Sequence, residues 1–365
     1  MNKLLFPCLM IFLMACQANG KVEYSQKEEA VFNPQQYVCY RAGEKMTIDG
    51  NLDEQAWKNA PWTNEFADIE GDAKPKPQYL TKAKMLWDDE YLYIGAYLQE
   101  PHLWASITER DAVIFYDNDF EVFIDPDGDT HGYYEFEMNA FNTVWDLLLA
   151  KPYRDGGPAI NNWDINGLQS AVALKGTINN PDDIDEGWFV EMAFPLDVLH
   201  EYAGGVKAEA GNQWRINFSR VQWQMDVVDG SYQKRINPET NKSYPEDNWV
   251  WSPQSYINMH RPETWGFMQF SDLIAGQGEE AFVFNEDESV KWELYRLYHA
   301  QRAYKNSTGQ YADDMALLKN VGLSDSKYIS SVNVTTSLYE AIASSSKSDY
   351  YWHINNEGRT WKSKK

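Results

Sequence analysis

The rhythm of the middle two thirds constrains this chain more than any other feature. From about residue 35 to 272, short runs rich in aromatic and β-branched residues alternate with clusters of Asp, Gly, Pro and Asn. Residues 83–87 and 91–98 flank Asp88-Asp89-Glu90, a hairpin signal in which charged turn residues separate two β-rich runs. Residues 120–124 alternate and stop at Asp125-Pro126-Asp127-Gly128-Asp129, a strong turn. Similar runs follow at 133–139, 143–149, 168–174, 187–193, 214–223 and 265–270. A short helix is expected over 195–202, with Pro195 at its start. So many strands at short spacing, with so few helices, predict a mainly β domain. Its form is an antiparallel β-sandwich of jelly-roll or immunoglobulin-like type over residues 35–272.

Beyond residue 272 the period changes. Val290, Leu294, Leu297 and Tyr298 share one helical face. Asn285 and Glu288 form a capping-box pair before them. A helix over 287–305 is expected, broken at Gly309, then a second short helix within 311–319 and strands at 332–342 and 350–354. Residues 273–365 are thus a small C-terminal α+β appendage, either separate or packed onto the sandwich. It is also the expected place for a protein partner.

The first residues read as a targeting segment. Lys3 supplies positive charge, and residues 4–14 form an apolar run too short to span a bilayer. The run ends Leu13-Met14-Ala15-Cys16, which resembles the bacterial lipobox, with cleavage before Cys16 and lipidation of its thiol. Residues 1–15 are then a lipoprotein signal peptide, and residues 16–34, polar and charged, a flexible tether. The expected location is the bacterial outer membrane or cell surface. A plain signal peptide cut near Ala18 or Gly20 is the alternative. Once Cys8 leaves and Cys16 carries lipid, only Cys39 remains, so no intramolecular disulfide can form.

The net charge of −23 disfavours a nucleic-acid partner, which needs Lys and Arg to neutralise phosphates. It suits a neutral ligand or a cation better. The 15 Trp, 23 Tyr and 16 Phe can build a core, and a few of them can pave a sugar site.

Three stretches carry a resemblance: Ile48-Asp49-Gly50-Asn51-Leu52-Asp53-Glu54-Gln55-Ala56-Trp57, Ala83 through Ile94, and Asp117-Asn118-Asp119-Phe120-Glu121-Val122-Phe123-Ile124-Asp125. With Gly187-Trp188-Phe189-Val190-Glu191-Met192-Ala193 and Trp265-Gly266, they resemble family 9 carbohydrate-binding modules over residues 38–272. The resemblance implies a sandwich that binds poly- or oligosaccharide without cutting it, supporting polysaccharide capture and breakdown. It places a ligand-contacting carboxylate at Glu121 and one clamping aromatic ring at Phe115 or Tyr116. The second ring falls near residues 256–260, where Met259 or His260 stands instead, with Trp251 and Tyr256 as substitutes. A basic contact of the family is replaced by Glu137. The usual preference for reducing ends of β-glucans and xylans therefore does not carry over directly. The family also holds structural calcium, and Asp125, Asp127 and Asp129 offer hard oxygen ligands, though not in an EF-hand; no cofactor is otherwise required.

By strand parity, Glu135, Glu137 and Asn139 share one face, and beside Glu121 they would extend a hydroxyl-reading surface. Arg220 is the candidate cation on that face. Other functions compete. A glycoside hydrolase needs two carboxylates about 5 to 10 Å apart, and Glu121 with Glu137 would supply them. A haem-binding sandwich needs axial ligands from Met259, His260, Met138 or His131. A scaffold would use only the appendage.

Overall fold

The computed structural model describes residues 32–365. The leader 1–15, Cys16 and nearly all of the tether lie outside the described residues. The sandwich strands are β1 (Gln36–Arg41), β2 (Ala67–Asp68), β3 (Thr81–Trp87), β4 (Tyr91–Gln99), β5 (Asp119–Asp125), β6 (Tyr133–Asn139), β7 (Val144–Leu149), β8 (Ala159–Ile160), β9 (Gln169–Lys175), β10 (Gly187–Pro195) and β11 (Gln213–Gln222). Two small hairpins follow, β12 (Met225–Val228) with β13 (Ser231–Lys234) and β14 (Ile236–Asn237) with β15 (Lys242–Ser243). Then come β16 (Asp247–Val250) and β17 (Gly266–Ile274). Short helices α1 (Gln55–Asn59) and α2 (Leu196–Leu199) sit between strands, α2 falling within the expected helix.

One hydrogen-bonded path joins the strands in the order β8-β7-β6-β5-β11-β17-β1-β3-β4-β10-β9. Almost every pairing is antiparallel. The exception is β1, which runs parallel to β17 over Gln36–Cys39 and parallel to β3 at Tyr40 and Arg41. Its register shifts between Cys39 and Arg41, so β1 crosses from one layer of the sandwich to the other. Alternation decides what fills the space between the layers. Phe120, Val122 and Ile124 of β5, Tyr134, Phe136 and Met138 of β6, and Trp214, Ile216 and Phe218 of β11 point inward. They meet Met85, Ile94, Val190 and Phe194 from the other layer. Phe136 and Phe194 touch edge to face with centroids 5.4 Å apart. Each such ring, fully buried, stabilises the fold by roughly 1.5–3 kcal/mol. Cys39 is among these core residues.

The outer side of the second layer is pinned by one carboxylate. Glu191 accepts from Trp57 Nε1 at 2.8 Å, Asp49 N at 2.9 Å and Gly50 N at 3.0 Å. Gly50 has φ 89°, and a Cβ there would lie 2.6 Å from the Val172 carbonyl carbon. The Asp49-Gly50 turn therefore requires glycine for both reasons.

The appendage begins with α3 (Glu286–Thr308) and α4 (Met315–Lys319), then a sheet of β18 (Ile329–Val334), β19 (Tyr339–Ala343), β20 (Tyr350–Asn355) and β21 (Thr360–Lys364). It has its own core, with Val290, Leu294, Leu297 and Tyr298 against Leu318, Tyr339 and Ile354. The strand expected over 332–342 is a hairpin that reverses at Thr335–Leu338, and β21 was not foreseen. Asn285 caps α3 by accepting from Asp287 N, and Gly309, at φ 83°, ends it. The capping box does not close. Glu288 turns away to Arg215 of β11 at 2.7 Å and to Lys291 at 2.9 Å, so α3 is tied to the sandwich by buried charge.

Candidate functional site

The face opposite the core on β5, β6 and β11 is acidic. Phe120 and Val122 point inward, so Asp119 and Glu121 point out. In the ladders Glu121 faces Glu137, Phe123 faces Glu135, and Ser219 faces Glu121 from the other side. These acids are not a solvated rim: Glu121 and Glu135 are each 5% exposed, Glu137 1% and Asp119 0%. Burial disfavours their charged forms, and mutual repulsion adds to it. Burial first, then the Glu246 charge, raises the Glu121 carboxyl to about 7, with Ser219 acting in the other direction. Glu137 is pushed well up by burial and by Glu121, Asp119 and Glu135, and Glu135 by burial and Glu121.

Aromatic groups flank this row. Trp145 of β7 stands directly across from Glu137, half-buried, with its indole N–H unpaired. Tyr153 is 48% exposed and meets the His260 ring edge-on at 4.5 Å. Burial, then the charges of Glu135 and Glu137, raise its phenol, which marks it as a neighbour of the acids. On the far side Phe115 N donates to Glu137 Oε2 at 3.0 Å, and Trp223 Nε1 holds the Phe115 carbonyl. Tyr116 is the exposed ring of this loop. It opens onto a cavity of about 590 Å³ lined also by Trp104, Asn179, Met225, Tyr232 and Lys234.

The appendage fixes one wall of the site. Residues 153–155 form a 3₁₀ turn. Arg154 donates to Glu263 at 2.9 Å and to the His260 carbonyl at 3.1 Å. From α3, Tyr298 and Arg302 bind Asp155 at 2.5 and 2.8 Å, and His299 binds Glu263 at 2.9 Å. Tyr153 is thus aimed by buried ion pairs that reach it from residues 298–302.

Several expected site residues fall elsewhere. Arg220 is not on the acidic face. It shares the inward parity of Trp214 and Phe218, and it is 1% exposed, bound to Glu100 at 2.9 Å and Thr81 at 3.0 Å. Trp251 lies in the inter-layer core, 5.8 Å from the Phe218 ring, and offers no platform. Asn139 is on the correct face but spent on the turn that follows: Nδ2 donates to Asp117 and Ile107, and Oδ1 accepts from Phe141 N and Thr143 N. His260 does reach the site. Its Nδ1 lies 2.9 Å from Tyr133 Oη and its Nε2 3.9 Å from Glu135. Burial and Arg154 lower it to about 4, so the ring is neutral at pH 7. Met138 points into the core while His260 lies on the outer face, so they cannot be paired haem ligands.

Asp125, Asp127 and Asp129 bring oxygens within 4.8 Å of one another, as a calcium ligand set would. Their lone pairs are largely engaged. Asp125 accepts from Gly128 N and Thr130 N, Asp127 from Asp129 N, and Asp129 from His131 N and Arg359 Nε. Lys291 adds a second cation beside Asp125 and Asp127.

Tyr153 and Trp145 are the site residues that sequence reasoning passed over. Trp145 had a usable signal, because it alternates with Asp146 and shares a face with Leu147 on the strand after Glu137. Tyr153 had none, since its place depends on contacts with residues more than a hundred positions away.

The family model described as carbohydrate family 9 binding domain-like matches residues 48–266. Exoglucanase XynX of Acetivibrio thermocellus is 31% identical over 116 residues, 31% of this chain and only 8% of that protein. A family 9 carbohydrate-binding module from Caldicellulosiruptor kristjanssonii, solved with cellotriose, is 15% identical, with 69% of this chain and 99% of that one aligned at a TM-score of 0.42. A candidate carbohydrate-binding protein from Bacteroides uniformis ATCC 8492 is 14% identical, covering 66% of this chain and all of that one at a TM-score of 0.48. Because the family model covers more than half of the chain, and takes in β2 to β16 with the acidic face among them, this chain belongs to the carbohydrate family 9 binding domain-like proteins.

Proposed function

We propose that this protein binds a carbohydrate, without cutting it, on the outer face of β5 and β6. The observation that carries this reading is the cross-strand row of Glu121, Glu137 and Glu135, flanked by Trp145 and Tyr153 on one side and Phe115 and Tyr116 on the other. Carboxylates accept hydrogen bonds from neighbouring sugar hydroxyls, and aromatic rings cover the apolar faces of pyranoses. Glu137 stands where the family resemblance implies a basic contact, so the preferred glycan is expected to differ from the family's usual one. We further propose that Cys16 carries lipid and holds the protein at the bacterial envelope, where it captures polysaccharide for breakdown.

A glycan array probed with the full-length protein tests this. Binding is expected, and Glu121→Ala should weaken it at least about tenfold, the loss for one charge-assisted hydrogen bond. Circular dichroism must show the fold unchanged. No binding to any glycan by the folded protein would sink the reading.

A further inference from the structure

Three clusters of three carboxylates with oxygens in mutual reach occur among the described residues. Asp111, Asp146 and Asp164 gather round Arg110. The Asp125 cluster has Arg359 and Lys291. The third, Asp119 with Glu121 and Glu137, has no Lys or Arg within ion-pair distance, although all three residues are buried. Ionised carboxylates crowded in a low-dielectric site repel one another strongly unless a cation joins them.

A second observation points to a ligand rather than to shared protons alone. Asp119 Oδ2 is fully buried and has no hydrogen-bond partner. Ser219 Oγ, buried beside Glu121, makes no well-formed hydrogen bond either. Only two N–H groups serve the trio, Phe115 N to Glu137 and Val221 N to Asp119 at 3.3 Å. The place has more acceptors than donors: two N–H groups and the Ser219 hydroxyl face the six oxygens of three carboxylates.

We propose that Asp119, Glu121 and Glu137, with the Ser219 hydroxyl, hold one hard divalent cation of the calcium class. Calcium takes six to eight oxygens at about 2.3–2.6 Å, so oxygens on opposite sides of it lie up to about 5 Å apart. The carboxylate oxygens here fall within 4.8 Å of one another, so one ion can touch all three. A bare ion fits better than the ammonium of an amino sugar, because Asp119 is 0% exposed and out of reach of a ring substituent. Four protein oxygens are fewer than the six to eight that calcium takes, and sugar hydroxyls on the outer face of β5 and β6 complete the sphere. That last step rests on the carbohydrate reading; the ion itself does not.

The test is calorimetric titration of the full-length protein, stripped with chelator, using calcium chloride and then magnesium chloride, with no glycan present. One calcium site is expected. Asp119→Asn combined with Glu137→Gln, both close in shape, should weaken it more than a hundredfold, while Asp127→Asn in the other cluster leaves it in place. Calcium should also raise the melting temperature of the parent protein and not of the double variant, and this readout survives a shift in the variant's own stability. Absence of calcium binding at millimolar concentration overturns the proposal. So does binding that Asp127→Asn abolishes and the double variant keeps. Glycan binding is then measured with and without chelator. Glycan bound equally well in chelator overturns the coordination of sugar hydroxyls to the ion, while the ion, read by its own titration, and the carbohydrate reading stand. Calcium bound in the absence of any glycan affinity keeps the ion and removes that reading.

Discussion

Strand β5 carries a carboxylate cluster at each end, and the two are solved differently. At its C-terminal end Asp125, Asp127 and Asp129 are closed by four backbone N–H groups, by Arg359 and by Lys291. At its N-terminal end Asp119, Glu121 and Glu137 share two backbone N–H groups and no cation. The first cluster is finished within the chain and builds a turn. The second is finished only by something from outside. Buried groups that violate ordinary pairing mark functional places more often than random ones do, which is why the second cluster, not the first, is where we place a ligand.

The largest effect should come from breaking the compensated side. Glu288 neutralises Arg215 and Lys291, and Lys291 in turn serves the Asp125 cluster. Burial alone would raise its carboxyl, but Lys291 and Arg215 bring it below the usual range. Glu288→Ala takes the ion-pair partner from buried Arg215 and leaves Lys291 only the Asp125 cluster, and should cost about 3–5 kcal/mol, read from urea unfolding at pH 7. A loss below about 1 kcal/mol would mean that these cations reach solvent readily.

Neutralising one acid in each cluster should then give opposite signs. Asp125→Ala strips the acceptor from Gly128 N and Thr130 N and should destabilise by about 2 kcal/mol. Glu137→Gln keeps an oxygen for Phe115 N and removes a like charge, so in chelator it should be neutral or stabilising by up to about 1 kcal/mol. Equal destabilisation by both, in thermal melts with chelator present, would erase the contrast.

Acid should loosen the wall of the site that α3 holds. Burial pushes Glu263 up, but Arg154, His299 and Arg261 hold it well below the usual range. Its folded pKa is thus depressed. The stability it contributes is complete above the unfolded value of about 4.3 and is lost as pH falls through the folded one. Glu263→Gln should lower stability at pH 7 and flatten the loss below pH 4, checked by urea unfolding across that range. An unchanged acid slope would show that Glu263 is not the group responsible.

Most of the fold was legible because alternation is a local property. The hairpin around Asp88, the run ending at Asp125 and the helical face of Val290 and Leu294 each announce themselves within a few residues. The parallel crossing of β1 does not, since Gln36–Cys39 and Tyr40 choose partners more than two hundred and about fifty positions away. The acidic face was legible from the parity of Glu121, Glu135 and Glu137. Arg220 was misplaced although its own strand shows the inward parity of Phe218. A charged residue on the core side is unexpected until Glu100, 120 positions distant, is seen beside it. Trp251 followed the same course: an aromatic residue near a site by sequence was in space part of the core.

The smallest effect probes the rim of the compensated cluster. Arg359 binds Asp129 Oδ2 at 2.9 Å, yet its side chain is 58% exposed. Exposed pairs of this kind contribute about 0–1 kcal/mol, because water and salt screen them and the side chain loses freedom. Arg359→Ala should therefore change stability by at most about 0.5 kcal/mol and leave glycan affinity unaltered. The residual difference should vanish near 0.5 M salt, where the screening length is only a few ångströms. Asp125 keeps its two N–H donors in this variant, and Lys291 remains in place, so closure of the cluster rests on its interior and not on its surface pair. A loss of several degrees in melting temperature that persists in high salt would reverse that order, making Arg359 the keystone of the cluster and narrowing the difference between the two ends of β5.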